Sequence, residues 1–164
     1  MTGCGGSSKT EQPMESKAVE TRDSEPWPAQ SSHAGVRLDD ILEASRTCRG
    51  FADDMMKLVS ETAFDKAAVL KMAEQGVDAC IADRLALLDL DLKEPAETTC
   101  LRITSSGVGA IGAIRRWVES PGANEENTAR RSVALIGEAE KECGTVLARQ
   151  RADVARRRRK LDGE

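Results

Sequence analysis

The sequence predicts an all-α protein: an up-and-down four-helix bundle over residues 36–164 behind a disordered N-terminal tether over residues 1–35. Three observations carry this. The chain has two Trp, two Phe and no Tyr, whereas sheets favour aromatic and β-branched residues. Ala, Leu, Val and Ile supply the apolar side chains among 32% charged ones, the mixture from which long helices are built. From Leu38 onward apolar residues recur at intervals of three and four, the period of one helix face. A chain of 164 residues has room for one core. No stretch approaches the roughly 18 uninterrupted apolar residues of a membrane span.

The elements follow in order. Residues 1–35 are rich in Ser, Glu, Pro and Gly and have no periodic apolar face to offset the entropy of ordering them. His33, the only His, falls here with no identifiable partner, so it reads as a solvated linker residue. The first helix carries Leu38, Ile41, Leu42, Ser45, Cys48, Ala52, Met55, Met56 and Val59. The second starts at Thr62, with Asp65 completing a capping box, and presents Leu70, Val77, Ile81, Leu85, Leu88 and Leu92. It stops near Glu94, because Pro95 disfavours helical geometry in the residue before it. Pro95 can open the third helix, with Leu101, Thr104, Val108, Ile111, Arg115 and Val118 on a stripe that ends at Ser120–Gly122. Asn124 or Asn127 caps a fourth, long helix with Ala129, Val133, Ile136, Cys143 and Leu147 on its face. Four amphipathic helices joined by short turns most simply form an up-and-down bundle.

Three motifs invite a chemical reading. "GCGGSSKT", Gly3–Thr10, resembles a phosphate-binding P-loop with Ser8 in place of the second Gly. Nothing before it supplies the strand that such a loop needs. Gly107, Gly109 and Gly112 satisfy G-x-G-x-x-G, the dinucleotide-binding fingerprint. The acid that ends the candidate second strand "SVALIGE", Glu138, stands about thirty residues on rather than about twenty, and no third strand follows. Close helix packing through Ser105, Gly109 and Ala113 is the expected reading there. Arg156, Arg157, Arg158, Arg159 and Lys160 form a basic run that could bind an anionic surface or serve as a solvated helix end beside the carbonyl dipole. It lacks interleaved aromatic residues for stacking bases. The charge is polarised: Arg149–Glu164 holds seven Lys or Arg against three acids, whereas residues 1–36 hold three against five and the whole chain is −4.

No Cys–His or Ser–His pairing and no metal-ligand spacing emerges, and Asp39–Asp40 and Asp53–Asp54 read as solvated faces. The expectation is a non-enzymatic protein without cofactor, catalytic residues, metal or small-molecule substrate.

"MTGC" at the start resembles the end of a bacterial lipoprotein signal peptide, the lipobox, in which Leu, a small residue and Gly or Ala precede the acylated Cys. Thr2, Gly3 and Cys4 fit, and Met1 stands in place of Leu. The resemblance implies lipid attachment at Cys4 and a start upstream that supplies about 7–15 apolar residues. N-myristoylation needs Gly at position 2, where this chain has Thr. The sequence thus suggests a lipid-anchored or exported envelope protein with a structural or binding role. The alternative is a soluble cytoplasmic module that binds a protein partner or an anionic polymer through its basic C-terminal helix.

Four cysteines remain beyond Cys4. With the last turn centred near Gly122, Cys100 lies 22 residues before it and Cys143 lies 21 after. The two then differ in height by about 1.5 Å on antiparallel helices, so these two are expected to pair if any disulfide forms. The same count about Glu61 leaves Cys48 and Cys80 mismatched by about 9 Å, too far for a bond.

Overall fold

The computed structural model describes residues 36–163, so the expected tether, Cys4, His33 and the P-loop-like segment lie outside the described residues. Among the described residues the chain is all-helical, with five helices: α1 (Leu38–Ala44), α2 (Arg46–Val59), α3 (Lys66–Asp89), α4 (Ala96–Glu119) and α5 (Ala123–Leu161).

The first expected helix is broken at Ser45 into α1 and α2. There the Ser45 backbone takes φ −105° and ψ 5°, and its buried hydroxyl is satisfied by donating to the Ile41 carbonyl at 2.9 Å. Both pieces keep the expected inward face: Ile41, Ser45, Cys48, Ala52, Met55 and Val59 are all buried.

The second helix begins later and ends earlier than expected. Asp65, not Thr62, is its cap, accepting from the amides of Ala67 at 2.8 Å and Ala68 at 3.2 Å. Asp65→Ala should therefore cost about 1 kcal/mol and Thr62→Ala under about 0.5 kcal/mol in urea unfolding. At the other end the helix closes at Leu90, and Asp91 takes a left-handed conformation with φ 47°. The loop that follows tucks Leu92 into the core.

The buried face of α3 also differs. Val69, Ala73, Gly76, Cys80, Asp83 and Leu87 point inward, whereas Ile81 and Leu85 are 52% and 58% exposed. The smaller residues take the interface because α2 and α4 approach closely there. A Cβ on Gly76 would stand 2.9 Å from Ile111 Cδ1 and 3.1 Å from Phe51 Cβ.

The third helix has Pro95 as its N-cap and buries Leu101, Thr104, Ile111 and Val118 as expected, together with Cys100, Ile103, Gly107, Ala110, Ala113 and Ile114. Val108 and Arg115 face solvent instead. The small-residue face expected at Ser105, Gly109 and Ala113 is not the contact either, since Ser105 and Gly109 are exposed. The close approach occurs at Gly107, where an added Cβ would overlap Cys48 Sγ and lie 3.3 Å from Cys80 Sγ.

A three-residue turn leads from α4 to α5, whose N-cap is Gly122 rather than Asn124 or Asn127. The two run antiparallel: Arg130 stacks on Trp117 near the turn, 6.0 Å from its ring centre, and Arg102 bonds Glu142 further along. Ala129, Ile136, Ala139, Cys143 and Leu147 are buried along α5. Leu38 of α1 fills the space beside Gly144. At 39 residues α5 is about 58 Å long and outruns the rest of the body.

Candidate functional site

All four cysteines of the described residues are paired. Cys100 bonds Cys143 across α4 and α5 with a Cα separation of 4.8 Å. Cys48 bonds Cys80 across α2 and α3 with a Cα separation of 4.3 Å, which corrects the expectation that they stand too far apart. The error lay in placing the turn at a single point near Glu61. Helix α2 ends at Val59 and α3 begins at Lys66, so the connection is six residues long. Counted from those ends, Cys48 and Cys80 differ by three residues, about 4.5 Å of helix rise.

Beside the Cys48–Cys80 bond lies a group that the sequence reading missed. Asp83 is 8% exposed, and its Oδ2 accepts from the Cys48 amide at 2.6 Å. The break at Ser45 leaves the first amides of α2 without helical partners, and a carboxylate one turn beyond Cys80 on α3 satisfies one of them. The positive end of the α2 dipole favours that charge. Asp83 thus acts as an N-cap supplied by a neighbouring helix, and its place is structural. The signal was present in the row Val69, Ala73, Gly76, Cys80, Asp83, Leu87, which keeps strict intervals of four and three. The bulkier row of Leu and Ile drew attention away from it. Asp83→Ala should cost about 1–3 kcal/mol in denaturant unfolding, because it leaves the Cys48 amide buried and unpaired.

The acid pairs are exposed, and Asp39, Asp40 and Asp53 make local contacts. Asp39 pairs with Arg37 at 3.0 Å, Asp40 accepts from the Arg37 amide at 2.7 Å, and Asp53 lies 3.4 Å from Arg49. Arg49 also bridges α2 to α5 by donating to Glu140 at 2.6 Å, a hydrogen bond that pushes its guanidinium pKa further up. Gly107, Gly109 and Gly112 all lie inside α4, so no strand-to-helix turn exists there to present amides to a phosphate. Among the described residues no three His, Cys, Asp or Glu side chains gather as a metal site. None of the helices is long and apolar enough to cross a membrane.

The basic run lies at the far end of α5. Arg156 pairs with Asp153, while Arg157, Arg158, Arg159 and Lys160 make no ion pair among the described residues. The run and the cysteine pairs are separate: the last buried residue of α5 is Leu147, and every described residue from Arg151 on is exposed. Cys4, expected as the lipid-attachment residue, lies outside the described residues. No known protein family, curated protein or solved structure matches the chain.

Proposed function

We propose that the chain is an exported, non-enzymatic protein of the cell envelope, with α2–α5 as an up-and-down bundle extended by α1 and with a lipid on Cys4 as its anchor. The observation that carries this reading is the pairing of all four body cysteines. Disulfides persist in oxidising compartments and are rare where glutathione and thioredoxin keep thiols reduced. Each pair is buried, with every one of the four cysteines at or below 1% exposure. The pairing leaves Cys4 as the fifth cysteine, in the setting that resembles a lipobox.

The core composition supports the same conclusion. Ala52, Ala73, Ala96, Ala110, Ala113, Ala129 and Ala139 occupy positions that larger apolar residues fill in a richer core. Small residues let the helices approach closely but bury less apolar area each. Covalent cross-links supply stability that such a core lacks. The up-and-down arrangement is supported by the antiparallel α4–α5 pair and by short connections throughout.

The experiment is fractionation of cells that express the gene from an upstream start supplying a signal. The protein should enter the membrane fraction, and Cys4→Ser should release it, because acyl chains contribute about 0.8 kcal/mol per buried methylene. Equal fractionation of the two forms would contradict the anchor.

A further inference from the structure

The end of α5 projects from the body. From Arg151 to Leu161 it runs eleven residues, about 16 Å, with every residue exposed. An isolated helix of that length is marginal in water, so this one relies on continuity with the packed part of α5. Its root is tied down: Arg151 donates to the Val36 carbonyl at 2.5 Å, and Gln150 donates to the Lys93 and Glu94 carbonyls at 3.2 Å. Val36 is where the chain coming from Cys4 enters the described body. The end of the body that receives that chain is therefore the end from which the basic helix projects.

The projecting surface has a definite chemistry. Arg156, Arg157, Arg158, Arg159 and Lys160 follow one another at about 100° per residue and so encircle the axis. Val154 and Leu161, seven residues apart, share one side, and they are 49% and 87% exposed. On the helical period Arg157 and Arg158 flank that pair. Apolar side chains between arginines suit an interface in which the stems enter and the guanidinium groups reach back to phosphate.

We infer that residues 151–161 are an electrostatic contact for a surface of anionic phospholipid headgroups, holding the α5 end of the body toward the membrane. The inference rests on the proposed envelope location for its biological setting, but the contact itself needs no lipid on Cys4. It adds a charge-dependent contact to whatever attachment a lipid on Cys4 provides. The attraction decays within a Debye length, about 8 Å at physiological salt, so it acts only when the projecting helix lies at the surface.

The test uses the full-length chain carrying Cys4→Ser, so that acylation cannot contribute, with vesicles of phosphatidylcholine and phosphatidylglycerol in a two-to-one ratio. Binding is expected to these and not to phosphatidylcholine alone. It should fall at least about a hundredfold when Arg156, Arg157, Arg158, Arg159 and Lys160 are all changed to Gln. It should fall likewise when salt rises from about 0.05 M to about 0.5 M. A second variant, Val154→Ser with Leu161→Ser, should weaken vesicle binding several-fold while the helical signal by circular dichroism stays unchanged. Equal binding to both vesicle types, or equal binding by the Gln variant, would overturn the inference. So would tight, salt-dependent binding to duplex DNA without vesicle binding, which would assign the segment to nucleic acid. Because Cys4 is absent from every protein used, failure here leaves the anchor reading standing, and failure of the fractionation experiment leaves this contact standing.

Discussion

Reduction of both disulfides should unfold the protein near physiological temperature. Cys48 and Cys80 are separated by 32 residues in sequence, and Cys100 and Cys143 by 43. In the chain-entropy account, loops of these lengths stabilise by about 3–4 kcal/mol each. The loops lie one after the other rather than nested, so their effects on the unfolded chain are largely independent. Their combined loss, about 7 kcal/mol, falls within the whole stability range of about 5–15 kcal/mol for a domain of this kind. Thermal unfolding followed by far-ultraviolet circular dichroism, with and without a reductant, measures it. Cys100→Ser with Cys143→Ser, and Cys48→Ser with Cys80→Ser, should each lower the midpoint by more than ten degrees. A reduced protein that melts within a few degrees of the oxidised one would show that the core alone sustains the fold.

Two glycines on α4 should respond to the same substitution with opposite signs. At Gly107 an added Cβ would overlap the Cys48 sulfur. That sulfur is buried and bonded to Cys80, so it cannot swing aside as the end of a long side chain could. Gly107→Ala should therefore destabilise by about 2–3 kcal/mol, the cost of overpacking, despite the better helix propensity of Ala. Gly109 is exposed and has nothing within 4 Å of the added carbon. Gly109→Ala should stabilise by about 0.5–1 kcal/mol through propensity alone. Paired urea titrations of the two variants read the difference. A neutral Gly107→Ala would mean that α4 does not lie against the Cys48–Cys80 bond.

The two glycines also show what could be read from the sequence. G-x-G-x-x-G inside an apolar helical pattern pointed to close packing rather than to phosphate, and the helix that contains it is present. Which glycine makes the approach depends on the rotation of α4, and an added residue turns a helix by 100°. Glycine carries no apolar side chain to mark its side. The same ambiguity affected α3. Leu and Ile at 81, 85 and 88 advertised a face, yet the buried row is Val69, Ala73, Gly76, Cys80, Asp83 and Leu87, with a single large side chain at its end. Hydrophobicity locates a core face when large residues fill it. Where helices approach closely, volume selects the residues instead, and a carboxylate such as Asp83 can join the row because a broken helix offers it an amide.

Elements defined by local chemistry were more legible. Of the expected apolar face of the last helix, Ala129, Ile136, Cys143 and Leu147 are buried and Val133 is half-buried against the core, because the period continues unbroken over many turns. The break at Ser45 was hidden, since serine at that place fits the inward stripe and a hydroxyl back-bond like the one it makes to Ile41 also forms at Thr128 and Thr145 within unbroken α5. The cysteine counts show how far such reasoning reaches. A three-residue turn can be treated as a point, and the count about Gly122 places Cys100 level with Cys143. A six-residue connection cannot, and there the count misplaced Cys80.

The central claim, that a stapled helical body works in an oxidising compartment, is tested most directly by mapping the cysteines of protein taken from cells that naturally make it. The protein would be alkylated under denaturing, non-reducing conditions, digested and analysed by mass spectrometry. The account predicts linked peptides joining Cys48 to Cys80 and Cys100 to Cys143, with no alkylation at any of the four. Four alkylated thiols would contradict it.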